Sequence, residues 1–145
     1  MSKKAKRRIL LAVTDEQLRC IINALEEHFR LRMGQTYIEL VDDLCFQNIV
    51  PEGEDGKMSD RQFNDCIIRR DEAREKLQEF MDICFNRDWR RQQKTEEVIN
   101  EIDLWRMIRH WRWSQRDHEE RGYGVESYPV YQFGSEPLPE IKWEE

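Results

Sequence analysis

The sequence predicts a mainly α-helical single domain of about four helices, with minor β structure from the segments at its two ends. Three observations carry that expectation. Four stretches repeat apolar residues at intervals of three and four, most of them beside a residue suited to capping a helix. Short apolar runs near both ends could each form a strand. At 145 residues the chain has the length of one ordinary domain with a core and is too short for two comfortable ones.

Composition narrows the class. Hydrophobic residues make up 39% and charged residues 37%, a polar balance, yet five tryptophans give more aromatic surface than a disordered chain carries. The basic opening Lys3, Lys4, Lys6, Arg7, Arg8 is expected to be a flexible, solubilising flank over residues 1–8. It is followed only by the short run Ile9 to Val13, with no cleavage-type sequence and no span long enough for a membrane. A cytoplasmic protein is the expectation. The four cysteines, Cys20, Cys45, Cys66 and Cys84, form no C-x-x-C pair and have no histidine at metal-ligand spacing, so they read as reduced thiols. Cys66 and Cys84 fall on an apolar stripe, where a buried thiol packs as a small hydrophobe.

Arg8 to Val13 is the first strand candidate. Thr14-Asp-Glu-Gln17 has the capping-box spacing, in which the threonine hydroxyl accepts from the Gln17 amide while the glutamine reaches back. A helix starts there, with Leu18, Ile21, Ile22, Leu25 and Phe29 on its apolar face and Gly34 as terminator. A second helix fits Thr36 to about Gln47, with Tyr37, Leu40, Val41 and Leu44 inward. Pro51 to Gly56 is an exposed loop. Ser59 caps a third helix whose face holds Phe63, Cys66, Ile67, Leu77, Phe80, Met81, Cys84 and Phe85. A polar stretch, Asn86 to Gln93, contains Arg87, Trp89, Arg90 and Arg91. Thr95-Glu-Glu97 opens a fourth helix with acids suited to its N-terminus, and Val98, Ile102, Trp105 and Ile108 form one side of it. From residue 122 to 145 the chain reads as an extended, aromatic and proline-containing tail that packs on the helices, with Val130 to Phe133 able to pair as a strand with the N-terminal run.

Five arginines interrupt these stripes. Arg32, Arg70, Arg74, Arg109 and Arg112 occupy helical positions where the pattern calls for apolar residues, in a chain of formal net charge -6. Two explanations fit. Asp42, Asp43, Asp71 and Glu101 are available to pair with them in an internal network, and their long stems let them reach water from an apolar stripe. Alternatively they converge, and a convergent group of cations takes an anion, with phosphate the leading class because the guanidinium fork binds its oxygens bidentately. The stretch Trp105-Arg-Met-Ile-Arg-His-Trp-Arg-Trp113 adds tryptophans among cations, suited either to stacking a base or to packing and docking a protein. The candidate ligand-binding set is therefore Arg32, Arg70, Arg74, Trp105, Arg109, His110, Trp111 and Arg112.

Other classes have less support. A sequence pI near 5.3 argues against a broad nucleic-acid footprint. No phosphate loop, nucleophile elbow or H-E-x-x-H motif is present, and His28, His110 and His118 lack metal spacing. Neither cofactor nor metal nor enzymatic activity is expected; a phosphodiester-cleaving activity would need a base or metal site that the sequence does not display.

Thr14-Asp-Glu-Gln-Leu18, the run from Ala24 to Gln35, Asp42-Asp-Leu44, Arg69-Arg-Asp71, Trp105 to His110 and Ser135-Glu-Pro-Leu-Pro139 together resemble a group of small accessory proteins of tailed phages and prophages. The resemblance spans most of the chain. It implies a phage-encoded protein acting in the host cytoplasm, where small phage proteins often block host defence. The expectation that follows is a counter-defence sponge, a homo-oligomer that sequesters an anionic signal of the cyclic-nucleotide or ADP-ribose type without catalysis. The alternative is a module that binds and inhibits a host or phage protein through its Trp/Arg surface.

Overall fold

The computed structural model describes residues 7–35, 38–85 and 94–145. They form four α-helices, α1 (Asp15–Arg32), α2 (Ile38–Phe46), α3 (Asp60–Phe85) and α4 (Glu96–Ser114), and a 3-10 turn at Val125–Ser127. The expected starts of the helices at residues 14, 59 and 95 are realised by local chemistry. Thr14 Oγ1 accepts from Gln17 N at 3.1 Å while Gln17 Oε1 accepts from Thr14 N at 2.9 Å. Ser59 Oγ accepts from Gln62 N at 3.2 Å, and Thr95 Oγ1 from Val98 N at 3.3 Å. Each bond satisfies one of the amides that a helix leaves unpaired in its first turn. Past the end of α1, Gly34 adopts φ 71, a left-handed conformation natural to glycine. A Cβ there would stand 2.9 Å from the Phe85 ring, so the same glycine lets the end of α3 close against the end of α1.

The helices pack as two pairs. Helices α1 and α4 run antiparallel: Asp15, near the start of α1, meets Arg112 near the end of α4, while His28 meets Glu101. Between them lies the main core, Leu18, Ile22, Phe29, Val98, Ile102, Trp105 and Ile108. Phe29 and Trp105 meet edge to face with centroids 5.2 Å apart, a favoured aromatic geometry. Helix α2 packs on α3, with Val41, Cys66 and Met81 buried, Phe46 against Phe63 at 5.9 Å and Arg74 bonded to Asp42 at 2.6 Å.

The tail is strapped to α4. Asp103, 3% exposed, accepts the backbone N–H groups of Phe133 and Gly134 on Oδ2 at 2.8 and 2.7 Å. One turn earlier in α4, Asn100 Oδ1 accepts from Glu136 N at 3.1 Å, and Glu96 accepts from Ser135 N. Side chains spaced one helical turn apart thus take four consecutive tail amides. Gly134 lies so close to Asn100 that a Cβ would collide with its side chain. The chain then returns along α4, where Trp143 packs on Trp111 at 5.2 Å and donates from Nε1 to Gln115 at 2.7 Å.

Several expectations are corrected. Among the described residues there is no strand. Ile9, Leu10 and Leu11 are exposed, and the Phe133 and Gly134 amides, which a ladder would need, belong to Asp103. Leu44, Phe63, Phe80 and Cys84, expected on inward faces, are exposed. Helix α2 is only nine residues long against 26 for α3, so it covers roughly 14 Å of a helix about 39 Å long at 1.5 Å per residue. Thr36 and Tyr37, the stretch 86–93 with Arg87, Trp89, Arg90 and Arg91, and the basic flank up to Lys6 lie outside the described residues.

Candidate functional site

Three of the eight candidate ligand residues meet at one place. Trp105, Arg109 and His110, on one face of α4, line a cavity of about 200 Å³ whose opposite wall is the 3-10 turn and the tail from Val125 to Phe133. The four-residue spacing of Trp105 and Arg109 sets them one turn apart on the same side of the helix, and His110, next to Arg109, borders the same cavity. Arg109 lies over the Trp105 ring, its Cζ 4.4 Å from the centroid, close enough for a cation–π contact. Its Nη2 donates to Glu126 Oε2 at 2.9 Å. His110 donates from Nδ1 to the Glu126 carbonyl at 2.8 Å and stacks on Trp113, with ring centroids 5.6 Å apart. Glu126 also faces Arg116, at 3.5 Å. A single turn of the tail is therefore held by Arg109 and His110 of α4 and by Arg116 just past its end, and this fixes the cavity's outer wall.

The remaining four arginines lie elsewhere and are engaged with acids or a histidine. Arg32, exposed at the end of α1, reaches His28 Nε2 at 3.5 Å, and His28 Nδ1 is 2.8 Å from Glu101. Arg70 bonds its chain neighbour Asp71 at 3.0 Å, Arg74 bonds Asp42 at 2.6 Å, and Arg112 bonds Asp15 at 3.2 Å. Trp111 is half-buried against Trp143. The five in-stripe arginines do not share one cavity; Arg109 alone lines the one on α4. Arg70 meets only its chain neighbour Asp71, and the other four are placed where an acid or a histidine from another turn, another helix or the tail can meet them.

The cavity also contains residues that the stripe pattern passed over. Arg106 lies beside Trp105 and is off the apolar stripe, yet its guanidinium sits 5.5 Å over the Phe133 ring. It makes no ion pair among the described residues, unlike Arg109. Tyr128, Pro129, Val130 and Tyr131 supply the apolar walls. Their signal in the sequence was the aromatic, proline-containing tail, which says that the segment packs but not where. Finally, the Trp105 indole nitrogen is buried with no hydrogen-bond partner, although the ring is 8% exposed and deep in the core. Arg74 Nε and Asp103 Oδ1 are buried and unpaired in the same way, so the indole nitrogen belongs to the packing of the core and not to the cavity's lining.

A second depression, on the far side of the strap, is lined by Glu97, Asn100, Glu101, Asp103, Leu104 and the run from Glu136 to Pro139. No group of three or more His, Cys, Asp or Glu side chains with a geometry suited to a metal ion occurs among the described residues, and no helix there is long and apolar enough to cross a membrane. No protein-family model matches the chain, and neither a curated protein nor a solved structure is significantly similar to it.

Proposed function

We propose that the chain is a non-catalytic binding module that docks on and inhibits a host or phage protein through its Trp/Arg surface, as a phage-encoded accessory protein of the host cytoplasm. The observation that carries this reading is the pairing of the arginines. Arg70, Arg74, Arg109 and Arg112 each donate to a carboxylate of the chain itself, so little unneutralised charge is left for a set of phosphates. Size points the same way. A cavity of about 200 Å³ falls below the roughly 300–1,000 Å³ usual for small-molecule sites, and it suits one inserted side chain. Tryptophan, tyrosine and arginine are the residue types that anchor protein interfaces. Homo-oligomerisation belongs to the same proposal, with the exposed Phe80 and Ile83 of α3 as an apolar contact, and light scattering across a concentration series tests it.

The test is retention from host extract on immobilised protein, with Arg106→Gln and Tyr131→Ala alongside. A polypeptide held by the wild type and lost from both folded variants is the expected result. If no polypeptide depends on these residues, the reading fails.

A second reading is the nucleotide sponge, and one observation favours it: Arg106, which has no carboxylate partner among the described residues, lines the same cavity as Arg109 and His110. A base would lie against the aromatic walls with its phosphates at Arg106. A thermal-shift panel of cyclic dinucleotides, cyclic oligonucleotides and ADP-ribose separates the two. A ligand at a hundred times its dissociation constant adds about 2.7 kcal/mol; the protein-binding reading expects no such rise.

A further inference from the structure

Two apolar features of the chain have little over them. The first is the run that precedes α1. Ile9, Leu10 and Leu11 are 92, 97 and 72% exposed, and residues 8–13 have no regular secondary structure. Three consecutive large aliphatic side chains in water are a patch that burial would stabilise. The second is the end of α3. Phe80, Ile83 and Cys84, three and four residues apart, lie exposed on one face of its last two turns, which the nine residues of α2 leave uncovered.

Charge selects what fits that face. Residues 1–14 hold five cations, Lys3, Lys4, Lys6, Arg7 and Arg8, and no acid. Around Phe80 and Ile83 the exposed charges are the acids Glu72, Glu75, Glu79 and Asp82, with Lys76 among them bonded to Glu79. An apolar run that carries its cations on one side matches an apolar face rimmed by acids. Packing α3 against α3 would instead set these acids against each other.

Reach decides which copy supplies the run. Gly34, past the far end of α1, lies against Phe85. Eighteen residues of α1 at 1.5 Å each place that end about 27 Å from Thr14, where the run is rooted. From Thr14 to Ile9 the chain spans at most about 17 Å, so Ile9 falls short of Ile83 in its own chain. A second copy has no such limit.

We infer that the run 9–13 of one copy docks on the Phe80/Ile83 face of α3 in a second copy, and that a two-fold pair exchanges these arms reciprocally. The inference rests on the homo-oligomerisation proposed above and names the segment that covers the α3 face. It uses no residue of the α4 cavity.

The test uses the intact chain. A Leu10→Cys, Cys84→Ser variant carrying a mass tag is mixed with the wild type under mild oxidation, and disulfides are mapped by mass spectrometry of the peptides. A disulfide needs Cα atoms within about 7 Å, so the expected result is a link between position 10 of the tagged copy and Cys84 of the wild type. Sedimentation measures self-association. Leu10→Glu and Ile83→Glu are each expected to weaken it at least about tenfold, while Arg61→Gln, at the other end of α3, leaves it unchanged. Leu10 and Ile83 are exposed, so neither substitution disturbs the core. Monomers up to about 100 μM, a dimer that survives Leu10→Glu, or links from position 10 to position 10 or to Cys20 in place of Cys84 overturn the inference. Its failure is distinguishable from that of the reading above. If a dimer forms and Leu10→Glu leaves it intact, the oligomer stands and the arm contact falls. If the link to Cys84 forms and no extract polypeptide is retained, the arm contact stands and the docking module falls.

Discussion

The α1/α4 pair and the α2/α3 pair are built from the same kind of amphipathic sequence and end up in different physical states. Seven buried apolar residues of α1 and α4 form one cluster, which the tail extends through Ile141. Among the residues whose burial is described, the α2/α3 pair buries only Val41, Cys66 and Met81 and leaves Leu44, Phe63, Ile68, Phe80 and Ile83 exposed. The difference follows from length. Helices α1 and α4 have 18 and 19 residues and cover each other end to end, whereas α2 is too short to cover α3. An apolar stripe states which side of a helix seeks cover; a neighbour of matching length decides whether it gets any.

The largest expected effect breaks or upholds that contrast directly. Ile108, 2% exposed, sits in the α1/α4 cluster, and Ile108→Ala is expected to cost about 2–5 kcal/mol through lost burial and the cavity left behind. Phe80, 57% exposed, lies on the stripe of α3, and Phe80→Ala is expected to cost less than about 1 kcal/mol. Urea unfolding of both variants at low protein concentration measures the two. Equal losses would mean that the outer face of α3 is covered in solution, and the contrast would fail.

Next in size is the strap. Asp103→Ala deprives the Phe133 and Gly134 amides of their acceptor, at about 1–3 kcal/mol for each group left unsatisfied, so about 3 kcal/mol in total. The loss is expected to be local. Hydrogen exchange should rise at residues 133–136 and around the cavity wall, with the α2/α3 amides unchanged. Uniform acceleration across all four helices would show that the tail is part of the core rather than a strap laid on it.

Legibility in the sequence divides along the same line between local and long-range causes. The caps at Thr14, Ser59 and Thr95 and the stop at Gly34 were readable because each depends on residues within a few positions. The α1/α4 core was readable because both stripes were long and matched. Exposure of Phe80 and Cys84 was not, since nothing in α3 reports the length of α2. At the site, Trp105 and Arg109 were legible through helical spacing, and His110 as the neighbour of Arg109. Arg106 was missed because the search followed the apolar stripe, and Arg106 is held by Phe133, 27 positions further along the chain. Asp42 and Asp71 were foreseen as partners of arginines, but Asp15 and Glu126 meet theirs only because α1 and the tail fold back on α4.

The arginines sharpen the comparison at a smaller scale. Arg109 binds Glu126 and covers the Trp105 face, so Arg109→Met is expected to cost about 1–2 kcal/mol, the sum of a partly screened ion pair and a cation–π contact. Arg74 pairs with Asp42, but its Nε is buried without a partner. Methionine there keeps the packing and removes that unsatisfied donor, so Arg74→Met is expected to change stability by less than about 1 kcal/mol in either direction. Thermal unfolding of the pair decides it: a larger loss at Arg74 would make the α2/α3 contact the more dependent on its ion pair.

The smallest effect concerns how α3 is started. Glu52, in the loop before α3, accepts from Arg61 at 2.8 Å and from the Ser59 hydroxyl at 3.2 Å. The Arg61 hydrogen bond, assisted by Ser59 and by the guanidinium charge, holds the Glu52 carboxyl below its ordinary value against a weaker opposing push from desolvation. A folded-state value below the unfolded one means that the contribution is present at neutral pH and is lost as pH falls through the lowered value. Both side chains are exposed, so salt screens the effect. Hydrogen exchange in the first turn of α3 should therefore rise, relative to α4, on acidification below the ordinary glutamate range, and Glu52→Gln should abolish that dependence. The same rise in the Gln variant would show that the turn is held by Ser59 and Gln62 alone, leaving the cap intact and the clamp without effect.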